Sequence, residues 1–171
     1  MQRDRAVLFL RTMHTLDAND VELLLALSAD PRSTTVALAE QLGLSRNTVQ
    51  ARMSKLESAG LFDSFERRIN TAALGYPLTA FIEVHVKQKR ISSIVRELAA
   101  VPEVVQAHGL SGRSDLLVRV VCLDAEDLFR IDALILACRG VKRTQTSLSM
   151  GELIPFRLEP LLRRRLGASP R

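Results

Sequence analysis

LSRNTVQARMSKLESAG, residues 44–60, reads as one helix with an apolar back and a hydrogen-bonding front. Ser45 follows Gly43 and Leu44 and brings a hydroxyl suited to accept amide hydrogens at a helix start, while Gly60 supplies a left-handed stop. Val49, Met53 and Leu56 recur at i, i+4 and i+7 and form one stripe. Arg46, Asn47, Gln50, Arg52 and Lys55 occupy the remaining faces, with no acid before Glu57. Arg46, Asn47 and Gln50 carry the paired groups that match guanine or adenine edges, and they lie in the first turns, the part of a recognition helix that enters a major groove. Arg52 and Lys55 suit phosphates. The candidate set for contacting double-stranded DNA is thus Ser45, Arg46, Asn47, Thr48, Gln50, Arg52 and Lys55; an ordinary solvated helix face is the alternative.

The preceding residues favour the first reading. Asp17 opens a helix as its N-cap with Asp20 at the third position, and VELLLALSAD is expected to turn Val21, Leu24, Leu25 and Leu27 inward. Pro31 ends it. Ser33 or Thr34 caps a second helix, VALAEQL, with Leu38, Ala39 and Leu42 inward, and Gly43 makes the tight turn into the third. Three short helices with a glycine turn between the last two form a helix-turn-helix. After Gly60, LFDSFERRIN suggests a strand or wing bearing Leu61, Phe62, Phe65 and Ile69, edged by Arg67 and Arg68. TAALGYP, with Gly75 and Pro77, reads as a hinge.

From Leu78 the period becomes two. Leu78, Ala80, Ile82, Val84 and Val86 point one way, and Thr79, Phe81, Glu83, His85 and Lys87 the other. A helix follows with Ile91, Ile94, Val95, Leu98 and Ala99 inward, stopped at Pro102. VVQAHGL and LLVRVVCL then form a hairpin across the loop SGRSD. Asp124 caps a further helix with Leu128, Ile131, Leu134 and Ile135 inward, ended by Gly140, and VKRTQTSLSM is a fourth strand. The order strand, helix, strand, strand, helix, strand is the split βαβ arrangement, an antiparallel sheet with both helices on one face. Phe81 on the uncovered face points to pairing with a second copy.

The fold class is therefore α+β: a winged helix-turn-helix domain and a ferredoxin-like domain. The expected boundaries are an extension at 1–15, the helix-turn-helix at 16–69, the hinge at 70–77, the sensor and oligomerisation domain at 78–150 and a basic segment at 151–171. The formal charge of +5 suits a polyanionic partner, but residues 1–75 carry Lys+Arg 9 against Asp+Glu 9, and residues 76–171 carry 15 against 10. The basic character of the first half is local to its third helix. Cys122 and Cys138 lie in apolar runs without metal-ligand spacing, so buried thiols are expected, with no metal site and no cofactor. The run Ala6 to Leu10 is too short for a signal core or a membrane span, which places the chain in the cytoplasm. His14, His85 and His108 have no catalytic constellation around them, so no catalytic residue is assigned.

These pieces, in this order, resemble the Lrp/AsnC (leucine-responsive regulatory protein) family of transcriptional regulators. LDANDVELLLAL is similar to its first helix, and DPRSTTVALAEQLGLSRNTVQARMSKLESAGLF carries its LA…LGLS…V..R…LE..G skeleton. INTAALG is similar to its hinge, and VKRTQTSLSM to its last strand, with Thr144 and Thr146 in the T-x-T positions. The resemblance implies homodimers on facing sheets, tetramers or octamers built from them, and a small effector, commonly an amino acid, held between sensor domains. The family's effector loop has the form G-x-[YF]-D; here it is Gly112, Arg113, Ser114 and Asp115, with Ser114 in place of the aromatic residue. Gly112 lets a ligand approach backbone amides, and Asp115 offers a carboxylate to an α-ammonium group, unless the two only make the hairpin turn. An effector-independent regulator is one alternative. A siroheme-decarboxylase-like enzyme on the same two-domain plan is another; it needs histidine and arginine around a tetrapyrrole, and no HYxR-like segment is present.

Overall fold

A computed structural model describes residues 15–62 and 69–168. The expected wing, with Phe65, Arg67 and Arg68, and the extension with His14 lie outside the described residues. The chain groups into two units, Met1–Glu66 with Phe156–Arg171, and Arg67–Pro155.

In the first unit α1 is Ala18–Ala29, α2 Thr35–Leu42, α3 Arg46–Ser58 and α6 Glu159–Ala168. Asp17 and Asp20 form a reciprocal capping box at the start of α1, each carboxylate accepting the other's backbone N–H. Thr34, rather than Ser33, caps α2, and Ser45 caps α3 through the Thr48 amide at 3.1 Å. Gly43 sits at φ 64°, the left-handed conformation that glycine adopts without a steric cost, and this bend turns the chain from α2 into α3. Leu23, Ala26, Leu38, Ala39, Val49 and Leu56 make the core of this unit.

The buried face of α1 differs from the expected one. Leu23 is fully buried and Leu24, Leu25 and Leu27 only half so, because the helix is apolar on most of its circumference and the period alone selects no face. Val21 is buried as expected, and with Leu25 it lies about 200° round the helix from Leu23 at roughly 100° per residue. A further neighbour of α1 is α6, which packs against it with Leu162 and Leu166 half-buried. The segment expected as a basic tail therefore supplies a helix to the first unit.

The second unit opens with a 3-10 turn, Ala72–Leu74, started by Asn70, whose side chain accepts the Ala72 N–H at 3.0 Å. Its sheet comprises β1 Leu78–Val86, β2 Val104–Gly109, β3 Leu116–Cys122 and β4 Val141–Leu148, in the order β2-β3-β1-β4 and antiparallel throughout. The helices α4 Ile91–Leu98 and α5 Ala125–Ala137 complete the split βαβ pattern. Ala80, Ile82, Val84 and Val86 of β1 are buried with Val118 and Val120 of β3, as the alternation predicts. Each of these Ile and Val side chains contributes about 1.5–3 kcal/mol by leaving water. The helices bury narrower stripes than expected: Ile94 and Leu98 in α4, Ile131 and Ile135 in α5, while Val95, Ala99 and Leu134 stay exposed. Ile91 and Leu128 also pack against this core, so each helix meets the sheet along one i, i+3, i+7 line. Thr144 and Thr146, on β4, donate their hydroxyls to the two oxygens of Asp132 at 3.1 and 2.7 Å, which ties the edge strand to α5.

Candidate functional site

On α3 the buried Val49 and Leu56 fix the inward side, so Arg46, Asn47 and Gln50 are left exposed. Thr48 is half-buried, its hydroxyl 2.7 Å from that of Ser45. The reading face therefore emerges as the stripe predicts. The two cations behind it have partners. Arg52 Nη1 lies 2.7 Å from both carboxylate oxygens of Asp17 and 2.6 Å from Asp20 Oδ1, and Lys55 Nζ lies 2.8 Å from Asp20 Oδ2. Asp20 is fully buried. Burial pushes its carboxyl up, but the hydrogen bonds from Lys55 and Arg52 outweigh that and hold it below the ordinary value. The Arg52 guanidinium likewise lowers the Asp17 carboxyl, and Asp17 and Asp20 together raise the Arg52 pKa. Asp17 and Asp20, legible in the sequence only as a helix cap, also join this charge cluster. Their signal is the acceptor sites that each carboxylate keeps after capping, set against two cations on α3.

The hairpin loop of the second unit is exposed at Gly112 and Arg113 and buried at Ser114. A Cβ added at Gly112 meets nothing within 4 Å and its φ is not left-handed, so the turn itself does not require glycine there. Ser114 donates its hydroxyl to Glu83. Asp115 accepts the Val86 backbone N–H at 2.8 Å and the Gln88 side-chain amide at 2.7 Å, while its own N–H donates to Val84 at 3.1 Å. Both oxygens already hold the end of β1, so an α-ammonium group has to compete with these bonds.

The sheet face away from the helices carries Phe81, 38 % exposed, with Glu83, His85 and Arg119 beside it. The Arg143 guanidinium, a donor only, lies 2.9 Å from His85 Nε2, which accepts. Cys122 and Cys138 are free and buried, and burial pushes both thiols up. Among the described residues no helix is long and apolar enough to cross a membrane.

Two family models match. One described as a winged helix-turn-helix DNA-binding domain covers residues 16–62, and one described as the Lrp/AsnC ligand binding domain covers residues 79–158. An uncharacterized HTH-type transcriptional regulator of Pyrococcus horikoshii is 32 % identical over 147 residues, which span 85 % of this chain and 99 % of that protein. The solved structure of E. coli AsnC superposes with a TM-score of 0.77 at 25 % identity, over 86 % of this chain and 100 % of that one. A transcriptional regulator of Neisseria meningitidis, solved as a complex with L-Met, superposes with a TM-score of 0.75 at 27 % identity, over 86 % of this chain and 99 % of that one.

Proposed function

The chain belongs to the Lrp/AsnC family of DNA-binding transcriptional regulators, and on that premise we propose that it reads a specific duplex sequence and adjusts its grip in response to a small effector of the amino-acid class. The observation that carries the reading is the exposed front of α3, where Arg46, Asn47 and Gln50 stand on a capped helix anchored by the buried Val49 and Leu56. Arg46, Asn47 and Gln50 take base edges; Ser45, Thr48 and Lys55 take phosphates. Two such helices in a dimer meet half-sites about one DNA turn, roughly 34 Å, apart.

The sensing half of the proposal rests on the matched ligand-binding domain and on the amino acid named in the Neisseria complex. The open backbone at Gly112 is the approach we assign to the effector, with Arg113, Ser114 and Asp115 around it. The half-apolar sheet face around Phe81 is the surface we assign to a homodimer, from which tetramers or octamers grow. The protein acts in the cytoplasm, with no catalytic role.

Selection of bound duplexes from a random pool, repeated with each common amino acid, tests both halves. A recurrent motif with an affinity that changes in the presence of one amino acid is the expected result. No enriched motif removes sequence-specific reading, and a motif indifferent to all of them makes the chain an effector-independent regulator.

A further inference from the structure

We infer that Arg52 is a positioning residue, which sets the recognition helix against α1 through Asp17 and Asp20 and does not itself contact DNA. From its residue type and place on α3 a phosphate contact is the natural expectation. Three features of the structure oppose it.

The first is where the side chain lies. At roughly 100° per residue Gln50 falls close beside Arg46, while Arg52 falls about 240° round, on the opposite flank of the helix. It is 21 % exposed, its Nε is buried without a hydrogen-bond partner, and its Nη1 bridges two carboxylates. The second is charge. Arg52 Nη1 stands against two carboxylates, Asp17 and Asp20, so its own charge is already matched and is not left over for a phosphate. The third is the state left behind. A phosphate that drew Arg52 away strips one of two cations from Asp20, a carboxylate with no access to water, and a buried charge that loses its partner is strongly unfavourable.

The clamp is also well placed to control reading. The carboxylates that hold Arg52 are those that start α1 by their capping box, so one pair of side chains defines both where α1 begins and how α3 lies on it. Asn47 and Thr48 line the same surface concavity as Asp17 and Arg52. Loosening Arg52 therefore shifts the first turns of α3, where base edges are met, and leaves the number of phosphate contacts as it was.

The test uses the full chain, a duplex that the protein itself selects from a random pool, and a scrambled duplex of equal length, over a salt series. Arg52→Ala is expected to lower the ratio of selected to scrambled binding at least tenfold while leaving the slope of log affinity against log salt on scrambled DNA unchanged. Asp17→Asn keeps a competent cap, since asparagine serves that position as well, yet removes the charge that holds Arg52. It is expected to reproduce the loss of ratio, and the double variant to be no worse than Arg52→Ala. A uniform loss on both duplexes in Arg52→Ala, with a slope shallower by about 0.9, makes Arg52 a phosphate contact and overturns the inference. So does a parental ratio in Asp17→Asn, which stands as a test even where Arg52→Ala fails to fold.

Discussion

Ser114 donates its buried hydroxyl to the carboxylate of Glu83, stitching the β2–β3 loop to the middle of β1. A serine at the position where the family pattern has an aromatic ring thus acts by hydrogen bonding and not by covering apolar surface.

Removing that donor is expected to weaken the second unit. Ser114→Ala leaves Glu83 without this partner, and a hydrogen bond to a charged group contributes about 1.5–3 kcal/mol, less where the carboxylate retains some water. Urea unfolding should report a loss of about 1–2 kcal/mol; a parental midpoint rules out a stabilising role.

Base reading is checked on α3. Arg46→Ala and Gln50→Ala should each weaken binding to the selected duplex by about 1–3 kcal/mol and relax its preference at one position. Site selection identical to the parent's in both variants takes the recognition role away from these residues.

The Asp17 and Asp20 carboxyls titrate below their ordinary value of 3.8, which fixes the sign of an acid effect. Between the folded and ordinary values the unfolded chain binds more protons, so the stabilisation is fully present above the ordinary value and is lost as pH falls through the folded ones. Thermal unfolding of the parent and of Asp17→Asn should therefore differ near neutrality and converge towards pH 2. A gap that stays constant over that range contradicts the ion pair as its source.

Gly112 separates sensing from folding. An alanine there meets no atom and needs no unusual φ, so Gly112→Ala should change stability by less than about 0.5 kcal/mol. It should nonetheless weaken the response to whichever amino acid the parent recognises, measured by calorimetry alongside DNA binding. A full response in this variant moves the effector away from the loop.

For assembly, Phe81→Asp in the full chain places a carboxylate in the middle of the open sheet face. Sedimentation at micromolar concentration should show the oligomer falling apart into monomers. An oligomer of unchanged size puts the interface elsewhere.

Much of this molecule was legible in its residues, and the illegible parts share a cause. The sheet could be read because β1 buries one face only, so a slip of one residue turns Ile82 and Val84 to solvent and the alternation admits one register. The three caps, Asp17, Thr34 and Ser45, were legible because each acts within three residues of itself. Arg52 pairs with Asp17 across 35 positions, and Ser114 with Glu83 across 31, so no local pattern contains both members. Asp115 was readable as a turn residue, but its bonds to Val86 and Gln88 depend on how the hairpin meets the end of β1. On α1 the expected Val21 is buried and Leu24 and Leu27 pack against the core, but Leu23 escapes a reading by period because the helix is apolar round most of its circumference, and its further partner α6 is encoded more than a hundred residues later.

The place of α6 gives the molecule a birth order. A ribosome delivers α1, α2 and α3 first, then the whole sheet, and only after it α6, which packs on α1. Until residue 159 is made, the nascent first unit thus carries on α1 a surface whose partner helix has yet to be synthesised. A polypeptide that stops before residue 159 lacks α6, so its α3 rests on an α1 with one supporting neighbour fewer.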